Sequence, residues 1–453
     1  MRPRVAMIAL TGDPRGGDEP YLPVNDRIVA EATERLTKLG VELMQPVPTV
    51  TARLEGTRCV NGEDTRQAVA AAAAWKADCV LMLVTGFHVP GLVMSAARDV
   101  TVPLILWAVP SETWSLVGGS LDRGAIADLG IDHLWLYGDV QSQCAVRAYN
   151  YMRAAMIVAR LRNATYGLVG GRAYDMMCTT FDYTQLQTQF GVFTHHIDQM
   201  DMYLRAQAQD SARVAAAAKR ITAGREVIDV PEVVMDRSVR LYLALRDMVD
   251  EYHWDFVGVK CQPEMINNYC SVCIGMAQLN DEGVPTACEC DTSGVLTSYM
   301  MALLADEPAY MGDTADLSYD RQMLTLANCG AMAMRLARTD QPVQLTRQYD
   351  YMGRTPGVCT TYQCRPGAVT LARLNRCQGE YSMVITPAEV VNLPDSAKNE
   401  RKSRWPHAFV KLPGNAQALV DTMLGNHYNF AYGDYVAPLL QACEFLDITP
   451  VQL

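Results

Sequence analysis

The sequence predicts an α/β protein in three parts: two doubly wound, Rossmann-like domains followed by a β-rich, antiparallel, barrel-like domain. Three observations carry that expectation. Through the first 335 residues, short apolar runs alternate with longer amphipathic segments, the pattern of buried strands and covering helices. From about residue 342 the long helices stop, and short alternating or apolar runs follow one another between turns. A chain of 453 residues also exceeds what a single core serves, so two or three domains are expected. The expected boundaries are 1–162, 163–335 and 336–453.

In the first domain, residues 4–10 read as a strand, 23–39 as a helix, 41–45 as a strand and 64–76 as a helix. Residues 79–85 (CVLMLVT) form a continuous apolar run of the kind buried on both faces. It ends in a loop that carries His88. Residues 102–109 (VPLILWAV) are the next strand, ending at Pro110-Ser111-Glu112, and 132–137 with a helix over 140–161 complete the domain. The second domain starts with a strand at 166–170, ending in Gly170-Gly171-Arg172. That turn resembles a phosphate cradle, but the dinucleotide pattern G-x-G-x-x-G is absent, and a plain tight turn accounts for it equally. A strand leading into a helix cap is expected in FGVFTHHID, and helices over 211–220 and 231–252. Residues 309–316 follow, then an apolar strand at 323–329 that ends at Gly330. In the third domain VQLTRQY, GVCTTYQ, GAVTLARLN, EYSMVIT and WPHAFVKL read as strands of one small sheet or barrel. A helix at 415–424, the segment GNHYNFAYGD and a terminal helix to 445 close the chain.

Composition narrows the function. The net charge of −11 argues against a general nucleic-acid binder, which needs a basic face. No apolar run approaches the ~18 residues of a membrane span, and the N-terminus reads as a strand and turn rather than a secretory leader. The expectation is a cytoplasmic enzyme with a small-molecule substrate. Fourteen cysteines at irregular spacing, many inside apolar runs, fit buried thiols in a reducing compartment. Cys270-x-x-Cys273 and Cys288-x-Cys290 can be drawn as a zinc site. Core packing is the better account, because the first pair reads as mid-helix and the second brackets Glu289 on a strand.

The richest stretch is 260–294, KCQPEMINNYCSVCIGMAQLNDEGVPTACECDTSG. An apolar strand runs into it and stops at Gln262-Pro263, which places Glu264 just past a strand end, where open α/β sheets put their sites. A helix over about 268–279 follows, then a second short strand, TACEC, and Asp291 as the N-cap of the next helix. Two carboxylates thus leave neighbouring strand ends of one β-α-β unit. With a histidine they suit a hard divalent ion such as manganese or magnesium. Of the seven histidines, His427 lies in a polar knot between a helix and an apolar strand, where a purely structural role is equally open. Such a centre can polarise a sugar carbonyl while a carboxylate moves a proton between adjacent carbons, the requirement of aldose–ketose isomerisation. The residues permit that reaction without singling it out.

Taken together, KCQPE (260–264), LNDEGVPTACECDTSG (279–294), Asn328-Cys329-Gly330, WPHAF (405–409) and GNHYNFAYGD (425–434) resemble the L-fucose/L-arabinose isomerase family, and more closely its shorter fucose isomerase-like branch. The resemblance implies a ketol isomerase dependent on manganese, or on another divalent cation such as magnesium or cobalt. It implies Glu264, Asp291 and His427 as metal ligands, with Glu264 and Asp291 also the acid/base pair of an enediol mechanism. It implies a trimer or hexamer with the active site at a subunit interface, which would turn His88 and Trp107 towards a neighbour's substrate. Asn328 stands where relatives often carry histidine, and His407 is placed to touch a sugar hydroxyl. The substrate is a monosaccharide: a deoxy sugar such as L-fucose, a related pentose, or the sulfonated sugar sulfoquinovose. A sulfonate calls for cations, for which Arg172, Arg354 and Arg365 are candidates. A non-catalytic sugar-binding or regulatory protein on the same fold is the reading from a different class.

Overall fold

The computed structural model describes residues 1–12, 21–46, 58–348, 357–393, 405–414 and 416–453. The chain forms two compact units, Met1–Arg160 and Leu161–Leu453. Among the described residues, no helix is long and apolar enough to cross a membrane.

The first unit is the expected doubly wound domain. Its strands are β1 (Arg4–Leu10), β2 (Glu42–Met44), β3 (Arg58–Cys59), β4 (Cys79–Val84), β5 (Leu104–Ala108) and β6 (His133–Tyr137). All pair in parallel, in the order β2-β1-β4-β5-β6, with β3 beside β1. The apolar run of β4 is buried at every residue, as a central strand covered on both faces requires. The helix Gly62–Ala74 begins at Asn61, whose side chain accepts from the Glu63 and Asp64 N–H groups.

The second unit contains a parallel sheet, a barrel and a small third sheet. The parallel sheet holds β7 (Thr165–Val169) and β8 (Phe193–Ile197); after β9 (Glu226–Ile228), which lies elsewhere, it adds β10 (Phe256–Val259) and β11 (Thr286–Cys288), in the order β11-β10-β7-β8. Asp198 caps the helix Gln199–Gln207, as FGVFTHHID suggested. The remaining strands are β12 (Tyr310–Ser318), β13 (Met323–Ala327), β14 (Gln344–Arg347), β15 (Val358–Thr361), β16 (Gly367–Cys377), β17 (Glu380–Val391), β18 (His407–Lys411), β19 (His427–Tyr432) and β20 (Thr449–Gln452). Strands β16-β19-β12-β13-β18-β17 pair antiparallel in that order, and β17 pairs back onto β16. The ring is therefore closed, which removes the exposed edges an open sheet would carry. The β16–β17 hairpin turns through Gln378 and Gly379, both with positive φ (53° and 89°), the two-residue loop that matches strand twist.

Three expectations are corrected. β12 and β13 precede residue 336 yet pair with β19 and β18, so strands from both sides of that position build one barrel. The segments VQLTRQY and GVCTTYQ supply β14 and β15, which leave the barrel and pair with β9 in a separate three-stranded sheet. Their alternation specified strands but not partners, and β9 is a short, mostly exposed strand with little apolar signal. Finally, TACEC does not stay extended. β11 ends at Cys288, and Glu289 and Cys290 turn left-handed (φ 62° and 51°) before Asp291 opens the next helix.

Candidate active site

The helix Thr292–Ala305 is almost wholly buried, and it packs against barrel strands β16 and β19. Its first turn therefore brings the end of the parallel sheet to the barrel wall. Asp291 is the cap: its Oδ1 accepts from the Gly294 N–H at 2.9 Å. Glycine is required there, because a Cβ on residue 294 would stand 2.6 Å from Asp291 Oδ2. From β16, Arg373 donates through Nη1 to Oδ2 at 2.6 Å and through Nη2 to Oδ1 at 3.1 Å. From the first position of β19, His427 Nδ1 meets Oδ2 at 2.7 Å. Asp291, Arg373 and His427 are all excluded from solvent. With four donors on its two oxygens, Asp291 has its hydrogen-bonding capacity filled.

The electrostatics follow from that packing. Burial works to raise Asp291, but the Arg373 guanidinium and the His427 hydrogen bond outweigh it and hold the carboxyl well below the usual carboxylate range. Burial likewise works against a charged His427, yet Asp291, with help from Asp313, carries it up to about 10. His427 Nε2 points away from Asp291. It lies 3.4 Å from Glu289 Oε2 and 3.4 Å from Asp313 Oδ1, its cross-strand partner on β12. Nε2 and Glu289 Oε2 are both buried without a hydrogen-bond partner. Burial pushes Glu289 up, and Asp313 and Asp291 add to this, while His427 opposes it. When Asp291 takes the Nδ1 proton of a neutral imidazole, the Nε2 lone pair faces a carboxylate oxygen. Only a proton or a cation between the two makes that contact favourable.

Of the ligand set implied by the resemblance, the structure brings Asp291 and His427 together. Glu264 stands apart from that contact. It opens the short helix Glu264–Asn268, its side chain is 49% exposed, and it pairs with Lys260 Nζ at 2.7 Å, which lowers its pKa. Two residues before it, Gln262 Oε1 accepts from the Tyr174 hydroxyl at 2.7 Å. Tyr174 is raised by burial first and then by Glu289 and Glu264, among other neighbours, so both carboxylates lie in its field. Tyr174 and Asp175 are consecutive non-glycine residues with positive φ (47° and 58°), an uncommon backbone that lifts the Tyr174 ring into solvent.

The remaining candidates separate clearly. His88 is buried in the first unit, with Nε2 on Asp122 Oδ2 at 2.6 Å and Nδ1 on the Gly86 carbonyl at 3.1 Å. The Trp107 ring is fully buried and donates to the Gly138 carbonyl. Neither presents a free face to a substrate. Asn328 is also buried and holds backbone: Oδ1 accepts from the Gly330 and Ala331 N–H groups, and Nδ2 donates to the Met311 carbonyl. His407 is buried against Phe409, with Nδ1 on the Trp405 carbonyl. Arg172 follows the Gly170-Gly171 turn, is partly exposed and pairs with Asp175. Arg365 is engaged by Glu307 and by the face of Tyr432. Arg354 lies outside the described residues. Cys270 precedes the helix Cys273–Asp281 and Cys273 opens it, so that pair is not mid-helix.

Three residues of the cluster escape sequence reading: Glu289, Asp313 and Arg373. A signal existed for Arg373. In GAVTLARLN it shares the alternation parity of Val369 and Leu371, and a charge on the buried parity of a strand needs a buried partner. For Glu289 the expected strand hid the left-handed turn that aims it inward.

Among the described residues, no three His, Cys, Asp or Glu side chains stand arranged to hold a metal ion. The donor chemistry for a divalent cation is nevertheless present. Glu289 Oε2 and His427 Nε2 are orphaned and buried, with Asp313 Oδ1 beside the same nitrogen. Two carboxylate oxygens and an imidazole nitrogen suit such an ion, while the Asp291 oxygens are taken up by hydrogen bonds.

Residues 326–452 match the family model for the L-fucose isomerase C-terminal domain. The chain is 25% identical over 352 residues to a sulfoquinovose isomerase of Clostridium sp. (strain MSTE9), covering 73% of this chain and 74% of that one. It is 22% identical over 376 residues to the sulfoquinovose isomerase of Alkalicoccus urumqiensis, covering 80% and 83%. A third, from Priestia aryabhattai, is 20% identical over 76% of this chain and 79% of its own.

Proposed function

We propose that this chain, which belongs with the fucose isomerase-like proteins by its C-terminal domain and its relatives, is a cation-dependent aldose–ketose isomerase acting on a sulfonated hexose of the sulfoquinovose type. The single observation that carries the reading is the buried Arg373–Asp291–His427 chain presenting an unpartnered Nε2 to Glu289.

The division of labour follows from the geometry. Arg373 neutralises Asp291, and Asp291 holds the Nδ1–H of His427, so Nε2 faces Glu289 and Asp313, its proton to be given up when a cation binds there. Glu289, Asp313 and His427 would hold a divalent ion such as manganese, magnesium or cobalt, which supplies polarisation of the sugar carbonyl. Glu289, raised by burial, is suited to take the C2 proton and return it at C1 through an enediol. Glu264, whose charge also acts on Tyr174, would shuttle the hydroxyl proton between O1 and O2. The Tyr174 ring offers an exposed apolar face to the sugar.

The substrate class rests on the relatives and on Arg172. L-Fucose and pentoses are neutral and ask for no cation beyond the reacting end. A sulfonate asks for one, and partly exposed Arg172, at the turn leading to Tyr174, is the described candidate. Self-association to a trimer or hexamer, with the active site at a subunit interface, belongs to the same reading. Purified protein assayed with manganese against sulfoquinovose, L-fucose, D-arabinose and L-arabinose tests it. Ketose formation fastest with sulfoquinovose is expected. A faster neutral sugar removes the sulfonate assignment, and turnover of none removes the isomerase.

A further inference from the structure

Beneath the carboxylates lies a group of thiols that the proposed reaction does not use. Cys261, Cys273, Cys288 and Cys329 are all buried. Cys273 opens the nine-residue helix Cys273–Asp281, and Cys329 follows β13 in the turn held by Asn328. Their sulfurs are 3.9 Å apart. Cys261 Sγ accepts from the Val272 N–H at 3.3 Å, and Asn328 Nδ2 stands 3.8 Å from Cys288 Sγ. Among the described residues no three such groups are arranged for a metal ion. What the geometry provides is two thiols in contact, brought from positions 56 residues apart.

We propose that Cys273 and Cys329 are a redox modification site, at which a hydroperoxide converts the two thiols to a reversible disulfide. The chemistry balances in two steps. One thiol attacks the peroxide O–O bond, giving a sulfenic acid and one water. The second thiol attacks that sulfur, the S–S bond forms and the S–O bond breaks, and a second water leaves. Hydrogen peroxide is reduced and the two thiols are oxidised.

Position favours Cys273 as the attacking sulfur. It sits at a helix start, where unpaired backbone N–H groups favour an anion, and its hydrogen bonds with Cys261 and Cys329 hold it well below the usual thiol range. The cluster also lies near Tyr174 and Glu289. The half-exposed Tyr174 lies in the field of Cys261 and Cys329, and Glu289 in that of Cys273.

Bond formation requires the sulfurs to close to about 2 Å. The turn has little slack: a Cβ on Gly330 would stand 2.2 Å from Cys359 Cβ. Movement of Cys329 therefore passes to Asn328, which is bonded to the Met311 carbonyl, two residues from Asp313 on β12. Oxidation is expected to displace Asp313 from His427 and to lower turnover. That activity arm rests on the proposed function; the cross-link does not.

The experiment uses reduced full-length protein exposed to a few equivalents of hydrogen peroxide, alkylated, digested and mapped by mass spectrometry. The expected product is a peptide pair joined through Cys273 and Cys329 that dithiothreitol separates, with isomerase activity lost and recovered in step. Cys329→Ala and Cys273→Ala, made separately, should each abolish the cross-link and leave activity resistant to peroxide. Recovery of both cysteines as alkylated thiols while exposed Cys377 is oxidised would overturn the proposal, as would Cys273 ending as an unlinked sulfinic acid. The map of the wild-type protein decides the matter even if a variant fails to fold, or if the chain isomerises no sugar.

Discussion

Arg373→Met is the perturbation whose consequence the structure fixes most tightly. It removes the charge but keeps an unbranched side chain in the same wall of β16. Arg373 makes two charge-assisted hydrogen bonds to Asp291, at 2.6 and 3.1 Å, and the pair is 1% and 0% exposed. Each such bond contributes roughly 1.5–3 kcal/mol. Removing one partner of a buried pair costs about 3–5 kcal/mol, because the other charge stays desolvated. His427, itself raised to about 10, remains as a counter-charge at 2.7 Å, so the lower end of that range, about 3 kcal/mol, is expected near pH 7. Urea denaturation followed by far-UV circular dichroism measures it. Arg373→Met combined with Asp291→Asn should recover more than about 1 kcal/mol of the loss, since no buried charge is then left unpaired. A single variant within about 1 kcal/mol of the wild type would refute the reasoning: the guanidinium would not be neutralising Asp291.

Other outcomes follow from the same cluster. Glu289→Gln should lower kcat by about a hundred-fold or more while leaving the circular dichroism spectrum unchanged, the scale of losing a general base; steady-state kinetics with manganese checks it. The cation-free protein should lose stability in alkali. His427 is raised above its unfolded value of 6.5, so its contribution is complete below that pH and disappears as pH rises towards about 10. Asp291 is depressed, so its contribution is present above about 3.9 and lost as pH falls further. Thermal melts across pH 4 to 10, flat or rising above pH 7, would contradict the assignment. Arg172→Met should raise KM for sulfoquinovose about ten-fold and leave KM for a neutral sugar unchanged. An equal effect on both would place Arg172 away from the sulfonate.

The fold was legible where one side-chain period ran undisturbed. The apolar run of β4 and the alternation of β16 and β17 predicted strands that the structure contains. Partners were less legible, because pairing depends on contacts that periodicity does not carry. Strands β12 and β13 read as the tail of an α/β domain, yet they close the barrel. At the site, Asp291 was readable as a cap and His427 as a polar interruption before an apolar strand. Their meeting, across 136 residues, came from the family resemblance and not from spacing or periodicity. Glu289 was masked by its apolar neighbours, which made a left-handed turn look like strand. Asn328 shows the reverse case: a polar residue in an apolar stretch whose function is to hold the Gly330 turn.

Proton exchange at C2 tests the central claim most directly. The protein is incubated with manganese and sulfoquinovose in deuterated water and followed by proton NMR. The account predicts loss of the C2 proton signal together with appearance of the ketose, both abolished by Glu289→Gln and by His427→Asn. Binding of the sugar with neither exchange nor ketose would contradict it and leave a sugar-binding protein; exchange that survives both substitutions would move the chemistry away from this cluster.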